Sequence, residues 1–89
     1  MPVVLMPSSL RRYTAQQSRI TVEGETVSAV LNGLVQRSPE MRGHLFAAEQ
    51  LRHFVVVSKN GQDIRLLQGL ETPVAANDEI RILASIAGG

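Results

Sequence analysis

No cysteine occurs anywhere in the 89 residues. Disulfides, thiolate metal sites and cysteine nucleophiles are therefore excluded, and a reducing compartment fits. Aromatic residues are nearly as scarce, limited to Tyr13, Phe46 and Phe54. A core built from this chain has to be aliphatic, drawn from Val, Ile and Leu. An excess of one charge sign is also lacking. Nine basic residues face eight acidic ones, for a net charge of +1. Nucleic-acid binding calls for a basic patch or stripe, so no nucleic-acid partner is expected. Lysine is almost absent, because eight of the nine basic residues are arginine and only Lys59 is lysine. No run approaches 18 apolar residues, and no leading segment joins a basic stretch to an apolar one. The expected location is the cytoplasm, with no membrane partner.

What is present is enough for one small folded domain. The apolar fraction is 44%, in the globular range. Val3-Val4-Leu5-Met6 is a short apolar run closed by Pro7 and reads as a strand. Ser8 to Gln17 is polar with two arginines and reads as a turn or loose loop. Ser18 to Val22 alternates polar and apolar residues, the period-two pattern of a half-buried strand. Thr26 stands where a helix N-cap belongs, beside Glu25. Val27, Val30, Leu31 and Leu34 follow at the spacing of one helical face, and Pro39 ends the helix. Gly33 inside it costs roughly 1 kcal/mol against alanine and points to close packing on a sheet.

Glu40 to Arg52 fits a helical turn or an irregular loop equally well. Phe54 to Val57 is strongly β-prone, and Asn60-Gly61 is a two-residue hairpin signal. Asp63 to Leu66 is expected to pair back as a short strand, and Glu79 to Leu83 to form the last one. Strands on both sides of one long helix must share a sheet that the helix covers. The fold class is thus α+β, a β-grasp with a mixed sheet of four to five strands and one main helix. The last strand is expected at the centre, beside the first. The division is a domain over 1–83 and an extended, flexible tail over 84–89.

The tail reads Ala84-Ser85-Ile86-Ala87-Gly88-Gly89. Side chains shrink toward its end, and paired glycines leave the backbone open to close approach by another molecule. With glycine near 7% of average usage, two together at the end arise by chance in roughly 0.5% of chains. Frayed termini also tolerate small residues. Here, however, the glycines follow a hydrophobic strand with no polar spacer. Such an end can thread a narrow channel and deliver its carboxylate to an active site elsewhere.

Other chemistry-bearing residues carry no pattern. His44 and His53 lack a third ligand at a metal spacing. Ser8, Ser9, Asp63 and Asp78 are not placed together by anything in the sequence. Arg11-Arg12-Tyr13 reads as a solvated loop, and Gly61 and Gly69 as turn glycines. No catalytic residue and no bound cofactor or metal is expected.

The segment from Gly69-Leu70 through Pro73-Val74 and Asn77 to Gly89 resembles the C-terminal region of the ubiquitin-like sulfur carriers, the ThiS and MoaD type. So do Gly24-Glu25-Thr26-Val27 at the helix start, and Phe54-Val55, Asn60-Gly61 and Asp63-Ile64-Arg65. The resemblance covers Val3 to Gly89, and its one sharp motif is the final glycine pair. The Ile-Ala-Gly-Gly ending and the length look closest to the CysO type of cysteine-forming carrier.

The resemblance implies that an activating enzyme adenylates the carboxylate of Gly89 with ATP and converts it to a thiocarboxylate. A biosynthetic enzyme, for example a cysteine synthase, then accepts the sulfur. Thiamine, molybdopterin and other sulfur-containing products are equally open as destinations. Gly88, Ala87 and Ile86 would give access for the enzymes. It further implies docking through the exposed face of the sheet. Arg81 and Leu83 share one phase of the last strand, opposite Ile80 and Ile82. Phe54 and Val56 are candidates to join them, although four consecutive apolar residues leave the phase of that strand open. Two other roles belong to the same kind of protein: a modifier joined to target lysines, and a non-catalytic subunit of a molybdopterin-synthase-like complex. Lys59, as the single lysine, argues against chain building by such a modifier.

Overall fold

A computed structural model describes residues 1–84 of the chain. Its strands are β1 (Val3–Leu5), β2 (Arg19–Thr21), β3 (Phe46–Ala47), β4 (Gln50–Leu51), β5 (Val55–Lys59), β6 (Gln62–Asp63) and β7 (Glu79–Ala84). The helices are α1 (Val27–Arg37) and the single turn α2 (Arg42–Leu45). Five strands form one mixed sheet in the order β2-β1-β7-β5-β6, and β3 and β4 make a separate small ribbon. β7 lies at the centre, parallel to β1 and antiparallel to β5. This is the β-grasp arrangement expected from the order of the elements.

The helix starts where the sequence places it. The Thr26 hydroxyl accepts a 3.1 Å hydrogen bond from the Ala29 N–H, satisfying one of the free donors of the first turn. Val27, Val30, Leu31 and Leu34 are fully buried, as are Val4, Ile80 and Ile82 of the central strands. The core is aliphatic and lies between α1 and one face of the sheet. Gly33 is there for contact. A Cβ on it would lie 2.9 Å from Val22 Cγ1, nearer than side chains pack, so α1 could not lie this close to β2. Gly24 has the same role before the helix, since its Cβ would meet the Val30 nitrogen at 2.8 Å.

One segment departs from the sequence reading, and two that it left open are resolved. Ser8–Thr14, expected as a turn or loose loop, winds into 3₁₀ turns that bury Leu10. The Thr14 hydroxyl donates to the carbonyls of Arg11 and Gln17, and Ala15 and Gln16 close the segment at positive φ. Residues 40–52 resolve into a 3₁₀ turn at Pro39–Met41, α2 and the β3–β4 ribbon, anchored by buried Met41, Leu45 and Phe46. The strand expected over Asp63 to Leu66 stops at Asp63 and becomes a 3₁₀ turn over Ile64–Leu66. There the Asp63 carboxylate accepts from the Arg65 backbone N–H at 2.9 Å, which turns the chain away from β5. The Asn60-Gly61 hairpin forms as expected, with φ of 50° and 88°, the positive values that a type I′ turn needs. β7 runs one residue further than expected, with Ala84 opposite Val55.

Candidate functional site

The phase of each strand decides what the outer face of the sheet presents. Ile80 and Ile82 are buried against α1, so Arg81 and Leu83 point the other way and are exposed. Leu83 is 50% exposed, large for an aliphatic side chain on a central strand. The phase of β5, open in the sequence, is settled by burial. Val55 and Val57 face the core and Val56 faces out. Leu83 stands directly opposite Val56, and Arg81 opposite Ser58. Leu83, Val56 and Arg81 therefore form one patch on the face that α1 does not cover.

Phe54 is differently placed. It precedes β5 in a turn, is half-buried and packs against the core. His53 meets its ring edge-on, and the Arg52 guanidinium lies 5.9 Å from its centroid.

Two residues of the outer face escaped the sequence reading. Leu5 of β1 is opposite Arg81, and Arg19 of β2 is opposite Leu5. The face thus carries a row Arg19, Leu5, Arg81 beside Leu83 and Val56. The signal was available in the phase of β1: once Val4 is assigned to the core, Val3 and Leu5 must face out. What the sequence lacked was the parallel register that sets Leu5 against Arg81.

Along the edge of the sheet β6 pairs only with Ser58 and Lys59. The rest of β5 borders an open groove of about 340 Å³, lined by Val55, Val57, Ile64 and Leu70 with Arg52 and Arg65 at its rim. Four separate segments build it, so no sequence pattern announced it.

The far end of β7 is polar and tied together. Lys59 Nζ donates to the Pro73 carbonyl at 2.8 Å and lies 3.7 Å from Asp78. Asn60 donates from Nδ2 to Asp78 at 2.9 Å and accepts from the Glu79 N–H at 2.9 Å. The Ala75 N–H donates to Asp78 at 2.7 Å. That backbone bond, with the Asn60 amide next, holds the Asp78 carboxyl below the usual carboxylate range. The Asp63 carboxyl is held down likewise, by the Arg65 guanidinium and then the Arg65 N–H.

The histidines do not meet. His44 Nε2 pairs with the Tyr13 hydroxyl at 3.0 Å, whereas His53 sits against Phe54. Among the described residues no group of three or more His, Asp or Glu could hold a metal ion, and no helix is long and apolar enough to cross a membrane. Gly89, Gly88, Ala87 and Ile86 lie outside the described residues. The last described residue, Ala84, ends the central strand at the end of the sheet away from Lys59.

Comparison with known proteins gives a consistent result. A model of the ThiS family matches residues 4–89, a span that takes in the final glycine pair. Over 97% of this chain the sequence is 32% identical to the sulfur carrier protein CysO of Mycobacterium tuberculosis, of which 96% is covered. A chain in the crystal structure of the BexX/CysO complex of Amycolatopsis orientalis matches with a TM-score of 0.91 and 30% identity, covering 100% of both chains. The solution structure of small archaeal modifier protein 1 from Methanosarcina acetivorans matches with a TM-score of 0.86 and 30% identity, covering 98% of this chain and 94% of that one.

Proposed function

This chain belongs to the ThiS family and is a sulfur carrier, and from that premise we propose that it carries sulfur as a thiocarboxylate on the carboxyl group of Gly89. The observation behind this is that the family match runs through Gly88-Gly89, which lie five residues or fewer beyond the central strand of a β-grasp sheet.

The chemistry follows from the weakness of a carboxylate as an electrophile. Attack of a Gly89 carboxylate oxygen on the α-phosphorus of ATP forms an acyl adenylate and releases pyrophosphate. A sulfide equivalent then attacks the acyl carbon, and AMP leaves. One carboxyl oxygen has been replaced by sulfur, which stays covalently held until an acceptor enzyme takes it. ATP and both catalytic sites belong to partner enzymes, and beyond the Gly89 carboxylate itself the carrier supplies no base, nucleophile or metal. Gly88, Ala87 and Ile86 form the arm that enters those sites. The patch of Arg81, Leu83 and Val56 seats the body of the carrier, with Leu5 and Arg19 at its margin. Phe54 supports the turn beside it. Support for partnership comes from the Amycolatopsis relative, whose structure is that of a complex of two proteins. An activating partner that uses ATP fits a carrier working in the cytoplasm.

Intact mass tests the reading. Incubation with ATP, a sulfur source and the cognate activating enzyme should replace one oxygen by sulfur, and the change should map to Gly89. An active enzyme that leaves the mass unchanged refutes it. A second role, as a modifier of other proteins, draws on the likeness to small archaeal modifier protein 1. It requires conjugates that survive reduction and leave a Gly-Gly remnant on target lysines. A stable-subunit role requires co-purification with a larger partner at fixed stoichiometry.

A further inference from the structure

The two edges of the main sheet are protected unequally. β2, at one edge, is three residues long and carries Arg19, and short charged strands resist pairing with another chain. At the other edge β6 covers only Ser58 and Lys59 of β5. Val55, Val56 and Val57 pair with Ala84, Leu83 and Ile82 of β7 on one side. Among the described residues no strand pairs with them on the other. No proline or charged residue interrupts these three valines.

The register identifies the backbone groups left over. Alternate residues of an antiparallel strand direct both N–H and C=O to the same neighbour. The Asn60 N–H donates to the Glu79 carbonyl at 2.9 Å, continuing the β5–β7 ladder. Ser58 and Val56 therefore also direct their groups to β7, and Lys59, Val57 and Val55 direct theirs away from it. Lys59 meets Gln62 there. Past Asp63 the chain leaves β5 in the 3₁₀ turn over Ile64–Leu66. Val55 donates its N–H back to the Arg52 carbonyl at 2.9 Å. The N–H and C=O of Val57 and the C=O of Val55 are left toward the groove, with no backbone partner among the described residues. Backbone groups away from bulk water are nearly always paired, so this edge is a ladder with its next rungs missing.

The groove beside it measures about 340 Å³, near the small end of the range for clefts that take a ligand. Leu51, Val55, Val57, Ile64 and Leu70 give it aliphatic walls. The rim is cationic. Asp63 is already held by Arg65 at 2.6 Å. Arg52 donates from Nε to the Gly43 carbonyl at 2.7 Å and, among the described residues, has no carboxylate at ion-pair distance. A second copy of this chain would bring a second Arg52 and no spare carboxylate. The complementary occupant is an extended segment with apolar side chains at alternate positions and a carboxylate toward Arg52.

We propose that the β5 edge at Val55–Val57 takes such a segment of a partner protein as an added strand, antiparallel to β5. One facing residue meets both groups of Val57, as in the closely spaced pair of an antiparallel ladder, and the residue two further on gives its N–H to the Val55 carbonyl. Both place their side chains on the same side as Val55 and Val57, against the aliphatic walls. In this direction the carboxylate follows the two apolar residues. The added strand lies two strand spacings, about 10 Å, from Ala84. A partner gripping this edge is thereby kept beside the end of β7 while the outer face with Arg81 and Leu83 stays uncovered. This contact is separate from sulfur carriage and does not depend on the reading of Gly89.

The test uses the whole chain, labelled with nitrogen-15, without ATP or any enzyme. The probe is the peptide acetyl-Thr-Val-Thr-Val-Thr-Asp-Asp-amide, followed by amide chemical shifts. Binding should saturate with a Kd of about 1 mM or tighter. The largest shifts should fall on Val57, Ile64 and Leu70, with the Val57 amide proton moving downfield as its new hydrogen bond forms. N-methylation of the first peptide valine removes the donor to Val57 and should weaken binding at least about tenfold. Arg52→Glu should weaken it about 3- to 10-fold. Replacing both peptide aspartates by lysine should reverse that preference, which separates charge from any local loosening caused by the substitution. No saturable shift at about 5 mM peptide, shifts centred on Leu83 and Arg81, an N-methyl peptide that binds equally well, or a lysine peptide that prefers the native chain would each overturn the proposal. Shifts at Val57 that grow with protein concentration alone would assign the edge to a second copy and overturn it too.

Discussion

The two ends of β7 are built to opposite specifications. At Glu79 the strand is held by side chains: Asn60 accepts from its N–H, and Asp78 just before it gathers bonds from Ala75, Asn60 and Lys59. At Ala84 it is held by backbone pairing with Val55, beside exposed Leu83. One end fixes register in the sheet, and the other leads to a sequence that ends in Ala87-Gly88-Gly89. The difference shows how the sheet can be fixed at one end of β7 while the residue proposed to react lies five positions beyond the other.

The largest effect expected from breaking this contrast is at the tail. Deleting Gly89, or adding one residue after it, removes or misplaces the proposed acyl carbon. Sulfur loading should fall below detection, while the melting temperature stays that of the native chain. Loading that survives either change would move the reactive group elsewhere. At the held end the sensitivities reverse. Ile80 is fully buried against α1, and Ile80→Ala should cost 2–5 kcal/mol of stability by denaturant titration. Loading per folded molecule should be unaffected. A stability loss under 1 kcal/mol would mean that the core does not depend on the centre of β7 as described.

Between the two lies the outer face, which sharpens the comparison because it shares residues of β7 with the core. Leu83→Asp and Arg81→Glu leave Ile80 and Ile82 in place. Exposed anchor residues at interfaces commonly contribute about 2 kcal/mol or more. Each change should therefore lower kcat/KM of loading by roughly 10- to 100-fold, chiefly through KM. The Arg81→Glu effect should shrink with added salt, because an exposed charge is screened. Unchanged kinetics for both variants would remove this face from docking.

The sequence made these contrasts legible to different degrees. Helix α1 could be read in full, since Thr26, the spacing of Val27 to Leu34 and Pro39 agree with each other. Strand order followed from the element sequence, because two hairpin-like pairs flanking one helix have few ways to share a sheet. The central place of β7 fits its alternation of Ile80 and Ile82 with Arg81 and Leu83. Local hydrogen bonding was harder to foresee. Asp63 ends its strand by accepting from its own neighbour's N–H, and Thr14 winds a polar segment into turns. Neither leaves a periodic trace. The phase of β5 was beyond reach, because Phe54 to Val57 are all apolar and only burial separates Val56 from its neighbours. The clamp of Lys59, Asn60 and Asp78 joins positions 18 or more apart through the hairpin and the β7 loop, so spacing could not reveal it.

The smallest effect is the electrostatic one at the held end, and its sign can be worked out. Backbone and amide donors to Asp78 favour its charged form, so its folded pKa is lowered. A depressed carboxyl contributes stability that is fully present above the unfolded value, about 3.9. That contribution is lost as pH falls through the folded value. Asp78→Asn should therefore melt a few degrees below the native chain at any pH from neutral to about 5. The gap should narrow below about pH 4, where the unfolded chain's carboxyl begins to take up its proton ahead of the native one. A gap that stays constant from neutral pH to pH 2.5 would mean that Asp78 acts by shape alone, and that the held end of β7 owes nothing to its charge.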